Sequence, residues 1–474
     1  MKNKLAVLIT LMLGTIMAAL DSSIVNVSLP TIQKEFNTTI SSIQWITAGY
    51  MLSFCLFIPL TNWLKKRFGY YKLFLYCIVV FTLGSLVCSL SKSVDMLVIA
   101  RIFQAIGGGG IAPVSLAIIS DHFPKEEKGS AISWWGIGNV VGPALGPTLG
   151  GLLTQYFGWP SIFYVNVPIS IITVLMAVKY LSFLKQEPVA IIKLNIASYF
   201  LLAGFIVILQ YSISSASKSN YPMWIPAIGV AVSFACLFLF IRSSRKENPL
   251  IELSVFKIRS FNYCALIIFI RSLALFGGLF FLPFLLQDLM GFSESQTGLL
   301  ILPNTIITLV FRPFAGRLAD KGIIRRPSVV GIICVALSMF QFGFLDVNSS
   351  VVWILLGMFT RGLGMALLVS PVSTALLNSV QPYQTTTATS INSLLMQLGG
   401  STGIAVSALL HGFIQHYYES KSYTSMQAEH IGISYGFMIS GIFFLLALLP
   451  AFKLPDHNNK DLSHQPLSVM PGVH

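Results

Sequence analysis

Fourteen apolar stretches, each long enough to cross a bilayer, follow one another along nearly the whole of this 474-residue chain. They lie near 5–30, 41–63, 72–91, 94–119, 130–156, 160–181, 194–214, 223–241, 261–288, 295–317, 327–345, 351–377, 388–413 and 432–452. A spanning helix needs roughly 20 mostly apolar residues. None of these runs shows the period-two alternation of a barrel strand, and backbone groups in hydrocarbon must be satisfied within their own segment, so the runs predict helices. The connections are short. The longest are a basic segment near 242–260 and a polar tail from Lys453 to His474, and neither holds a soluble domain. With 55% hydrophobic and 10% charged residues, such a surface suits lipid and not water.

Charge supplies the orientation. A formal net charge of +13 would fit a nucleic-acid binder if the cations were clustered on one domain, but they are not. The termini and the loops on their side of the bilayer hold 22 of the 30 Lys and Arg, among them Lys65, Lys66, Arg67, Arg242, Lys257, Arg325 and Arg326. The opposite side holds Lys34, Lys92, Lys218 and Lys421, and Arg101, Arg271, Arg312 and Arg361 fall inside apolar runs. This bias predicts both termini in the cytoplasm and no nucleic-acid partner. Met1-Lys2-Asn3-Lys4 resembles the start of a signal peptide, but the apolar run continues to Asp21 and beyond, so an uncleaved first helix is expected. The six cysteines lie within apolar runs without CxxC spacing, and His122, His411 and His416 are placed at helix ends or in loops. No metal site or cofactor is expected from either set. No GxxxxGK[ST] sequence occurs, which argues against ATP as the direct energy source.

A charge in hydrocarbon costs at least ~2.5–3.5 kcal/mol, so each embedded one needs a reason. At ~1.5 Å per residue, Asp21 lies roughly 24 Å from the inner edge of the first helix and Arg101 roughly 10 Å below the outer edge of the fourth. In a core of ~30 Å the two depths coincide. An Asp21–Arg101 pair would couple protonation of the carboxylate to the position of the guanidinium; the alternative is a static pair that locks the fold. The fifth run carries Gly138, Gly142, Gly146 and Gly150 along one helix face, with Pro143 and Pro147 between them. That face permits close helix approach and bending, in a gate or as plain packing. Asn26, Gln44, Trp45, Tyr50, Trp134 and Trp135 are candidates for a cavity lining, and packing explains each as readily. Arg271 and Arg361 lie roughly 15 Å into their helices. They would favour neutral or anionic ligands at that depth unless they pair elsewhere.

The chain also repeats itself weakly. Arg101 opens RIFQAIGGGGIAPVS, Arg361 opens RGLGMALLVSPVS, and the loops NWLKKRFG and GRLADKG follow the second and tenth runs. This predicts related bundles over 1–181 and 260–453, a linker over 182–259 that holds two extra transmembrane helices, and a cytoplasmic tail over 454–474.

Taken together, LDSSIVNVSLP (20–30), RIFQAIGGGG (101–110), GNVVGPALGPTLGG (138–151) and FLPFLLQDLMGFSESQTGLLILP (281–303) resemble the major facilitator superfamily, specifically its fourteen-helix drug:proton antiporter branch. The resemblance implies an all-α polytopic fold of two six-helix halves plus an inserted two-helix hairpin. It implies a non-enzymatic, proton-coupled exporter of amphiphilic small molecules in the inner (plasma) membrane. Asp21 and Arg101 would serve proton coupling, the fifth-helix glycines and prolines would form the antiporter motif, and Gly316, Arg317 and Asp320 a cytoplasmic gate loop. Its partners would be substrate, protons and the bilayer, with an adaptor and an outer-membrane channel as further candidates. A dedicated exporter of one metabolite or siderophore, a proton-coupled importer, and a membrane scaffold or channel are the rivals. The first gate loop departs from the family pattern: Lys66 stands where an aspartate is expected and Asn62 where a glycine is.

Overall fold

The computed structural model describes residues 3–186, 194–216, 222, 224–244, 250–381 and 384–456. Most of the expected tail, the section 245–249 of the basic segment and the side chain of Asn62 lie outside them. All regular structure among the described residues is helical, and 13 helices are long and apolar enough to cross a membrane. The expected fifth span is also a single helix, Lys125–Phe157. Its 33 residues suffice for a crossing, but its polar start and glycine-rich body are less apolar than the others.

In chain order the helices are α1 (Lys4–Glu35), α2 and α3 (the limbs 40–68 and 70–89 of Ile40–Ser89), α4 (Val94–His122), α5 (Lys125–Phe157) and α6 (Ser161–Tyr180). Then come α7 (Ile196–Ser215), α8 (Trp224–Ser243), α9 (Arg259–Leu289), α10 (Glu294–Asp320) and α11 (Arg325–Gly343). Last are α12 (Val351–Asn378), α13 (Thr385–Glu419) and α14 (Ser425–Ala451). Local chemistry sets the boundaries. Gly69 takes φ 75°, ψ 166°, a conformation open to a residue without Cβ, and there the chain doubles back between α2 and α3. Ser293 with Gln296 and Thr424 with Gln427 form reciprocal capping boxes that start α10 and α14.

Packing follows the small residues. α1 lies against α5 and α6, and α4 against α2 and α3; α9 packs on α13 and α14, and α12 on α10 and α11. α7 and α8 pair with each other, and α7 fills a seam between α2 and α13. The two sets of helices meet along α5–α10 and α2–α13. At the end away from the termini they are tied by Lys34–Asp288 (2.6 Å), Thr31 donating to Glu294 (2.8 Å), Gln287 donating to the Val27 carbonyl (2.7 Å) and the Ser295 amide donating to Gln155 (3.1 Å). At the opposite end Asp456 accepts from the Ile324 and Arg325 amides and so caps α11.

Candidate functional site

Five helices bring polar side chains to one point within the α1–α6 set. Asp21 on α1 is wholly buried, and Arg101 on α4 is 1% exposed. The Arg101 Nη1 donates to Asp21 Oδ2 (2.6 Å) and to Gln104 Oε1 (2.6 Å). Asp21 Oδ1 accepts from Gln104 Nε2 (2.9 Å) and from Asn166 Nδ2 on α6 (2.8 Å). Ser85 on α3 accepts from the same two amides, at 2.6 and 3.2 Å. The Tyr50 ring on α2 lies 4.0 Å from the guanidinium carbon, and the Phe163 ring of α6 lies at 5.6 Å. Two aromatic faces and a carboxylate thus surround one guanidinium, and cation–π attraction adds to the ion pair. Three N–H groups, from Arg101, Gln104 and Asn166, thus converge on one buried carboxylate.

The sequence singles out Asp21 and Arg101, and the structure places them in direct contact. It adds Ser85, Gln104 and Asn166, which sequence reasoning passed over; their only signal is that they are neutral polar residues inside apolar runs. Tyr50 belongs to this cluster. Gln44 and Trp45 face the hairpin: Gln44 donates to Ser214 of α7 (3.1 Å), and Trp45 packs into the α7 seam. Asn26 opens the 3-10 turn within α1 and accepts from Thr47 (3.4 Å). Trp135 is buried and donates to Thr15 of α1 (2.8 Å), whereas Trp134 is exposed.

The four glycines of α5 all face α1, the helix that carries Asp21. A Cβ on Gly138 would lie 3.1 Å from Ile16, one on Gly142 2.7 Å from the Leu20 amide nitrogen, and one on Gly146 3.0 Å from the Ser23 Cβ. Gly150 meets Ile24 in the same way. Pro143 is exposed and Pro147 half-buried; the Pro147 carbonyl faces Gly298 of α10. α5 is therefore wedged between α1 and α10. Gly142→Ala is expected to destabilise the fold by about 1–3 kcal/mol through overpacking. Gly136→Ala is the control, since its Cβ would meet nothing within 4 Å. Equal thermal unfolding midpoints for the two variants in detergent would contradict the close approach.

In the second set of helices the buried arginines lack such company. Arg361 on α12 is 1% exposed, yet neither Nη1 nor Nη2 donates to any atom among the described residues. The Nε of Arg271 on α9 is likewise without a partner among the described residues, and the like charge of Arg312 on α10 acts on it. His411 is not at a helix end: α13 runs on to Glu419, and the ring is 2% exposed, 5.5 Å from the Phe281 ring. Gly316, Arg317 and Asp320 form the last turns of α10, where Arg317 and Asp320 are exposed. In the first gate loop, a carboxylate comes from elsewhere in the chain. Asp121 at the end of α4 pairs with Lys65 (3.0 Å) and accepts from Tyr70.

Comparison with known proteins agrees with this architecture. Residues 11–404 match the Major Facilitator Superfamily. The chain is 30% identical over 409 residues to the multidrug export protein EmrB of Escherichia coli (strain K12), across 85% of this chain and 79% of that protein. It is 29% identical over 459 residues to the riboflavin transporter RibZ of Clostridioides difficile (strain 630), across 95% and 98%. A solved peptide transporter in complex with sulfate superposes with a TM-score of 0.68 at 15% identity, covering 95% of this chain and 96% of that one. At that identity the likeness concerns the fold alone.

Proposed function

Because the chain belongs to the major facilitator superfamily, we propose that it exports amphiphilic small molecules in exchange for protons by alternating access. That it is a multi-pass membrane transporter follows from the family; the direction, the coupling ion and the substrate are our reading. One observation carries it: a buried carboxylate, Asp21, held against a buried guanidinium, Arg101. A proton on Asp21 cancels its attraction for Arg101 and frees a helix-to-helix contact, which is how proton binding would be linked to a change of state. The seam formed by Lys34–Asp288 and Thr31–Glu294 supports a state closed at the end away from the termini. We place that end outside, on the strength of the loop charges. The named activity of the multidrug export relative supports a broad amphiphile range. Arg271 and Arg361, which make no ion pair among the described residues, support neutral or anionic members of it.

A second reading, a transporter dedicated to one metabolite, is favoured by the riboflavin transporter relative, whose likeness runs nearly end to end. The same assay separates the two. Everted membrane vesicles bearing the protein should accumulate several unrelated amphiphiles when a proton gradient is imposed, and release them when a protonophore collapses it. Accumulation that ignores the gradient refutes antiport. Accumulation of one compound alone favours the dedicated transporter.

A further inference from the structure

The two helices of the inserted hairpin enclose, with α13 and the segment 250–257, a cavity of about 710 Å³ that the transport reading does not use. Its body is apolar: Leu202 and Phe205 of α7, Phe240 of α8, and Leu394 and Leu398 of α13. Its polar groups are Ser244, Glu252, Ser254 and Lys257, which lie at the end of the bundle that bears the termini. From that end Leu398 is thirteen residues inside α13, so the slot reaches roughly 20 Å into the membrane. Its size falls within the ~300–1,000 Å³ typical of small-ligand sites.

Among the described residues the polar end is incomplete in three places. Ser244 is 8% exposed, and its Oγ has no hydrogen-bond partner among the described residues. Glu252 takes both of its hydrogen bonds, from Ser254 (2.6 Å) and Gln384 (3.3 Å), on Oε1, which leaves Oε2 open. Lys257 is exposed and makes no ion pair among the described residues. A buried hydroxyl without a partner is costly, so a ligand atom that meets it gains accordingly. One open carboxylate oxygen, one ammonium and one hydroxyl above an apolar slot match a single occupant. We infer that this cavity holds a phospholipid whose headgroup carries both a phosphate and a primary ammonium. The phosphate accepts from Lys257 and Ser244, the ammonium donates to Glu252, and an acyl chain fills the slot between the hairpin and α13. A choline headgroup has no N–H to give Glu252. A glycerol headgroup offers that carboxylate neutral hydroxyls but no positive charge to offset the phosphate.

The test compares phosphatidylethanolamine, phosphatidylcholine and phosphatidylglycerol with identical acyl chains on the purified full chain. Binding is read by native mass spectrometry, and stabilisation by the shift of the thermal unfolding midpoint. Phosphatidylethanolamine should bind about tenfold more tightly than either of the others, what one charge-assisted hydrogen bond contributes. Glu252→Gln should bring it level with phosphatidylcholine, and Lys257→Gln should weaken all three lipids together. Equal affinity for the three lipids on the unmodified chain overturns the assignment without recourse to any variant. So does tighter binding of phosphatidylglycerol, or an ethanolamine preference that survives Glu252→Gln.

Discussion

Asp21→Asn is expected to abolish gradient-driven export, to the level of membranes that lack the protein, while the chain still inserts. The carboxylate accepts N–H groups from Arg101, Gln104 and Asn166 at once. An amide of the same size offers one acceptor oxygen and turns an NH2 towards a donor, so at least one buried N–H loses its partner. That costs about 1–3 kcal/mol, which lowers the thermal midpoint but falls short of the whole stability of most domains. The functional loss has a different origin. Asparagine does not titrate, so the contact with Arg101 no longer answers to protons. Substrate binding measured without a gradient should persist, because no charge that the substrate would meet has been altered outside the cluster. Gradient-driven accumulation at the unmodified rate in the asparagine variant would remove Asp21 from the coupling step and leave the pair as a fold lock.

Particular residues show what was legible beforehand. The spans were legible because hydrocarbon allows few alternatives: a run of some 20 apolar residues must be a helix. Asp21 and Arg101 were legible for the same reason, since a charge at that depth is expensive enough to stand out from its neighbours. Ser85, Gln104 and Asn166 carry no charge and cost little, so only their convergence on Asp21 in space marks them. His411 was misplaced because the apolar run ends near residue 413, whereas backbone hydrogen bonding carries α13 on to Glu419. Gln44 and Trp45 were open to a cavity or a packing role, and both lie against the inserted hairpin, whose docking face no periodicity specifies. The lysine at position 66 left the first gate loop short of a carboxylate. Asp121 reaches the same loop from another helix, at Lys65 and Tyr70, across a separation that sequence reading does not bridge.

Removing the charge of Arg101 and removing that of Arg361 should have opposite effects on stability, although the two residues open the same repeated motif. Arg101→Met leaves Asp21 ionised, buried and without its counter-ion. Breaking a buried pair in this way costs about 3–5 kcal/mol, and the variant should melt well below the unmodified protein and fail in coupled export. Arg101→Lys restores the charge but loses the planar guanidinium, whose Nη1 serves Asp21 and Gln104 while its Nε donates to the Ile46 carbonyl (3.5 Å), so it should recover stability only in part. Arg361 has no such bond to break. Its terminal nitrogens are buried with no partner among the described residues, so Arg361→Met relieves an uncompensated charge and should leave the melting temperature unchanged or raise it. A residue kept at a cost to stability is kept for use. The same variant should therefore lose selectivity: export of carboxylate-bearing amphiphiles should fall, while that of neutral ones of similar size continues. Thermal unfolding of the three variants, with paired export of an anionic and a neutral compound, tests the argument. Should Arg361→Met prove as destabilising as Arg101→Met, the guanidinium at 361 has a protein partner after all. Robust export of lipophilic cations, indifferent to Arg361, would reverse the expected charge preference.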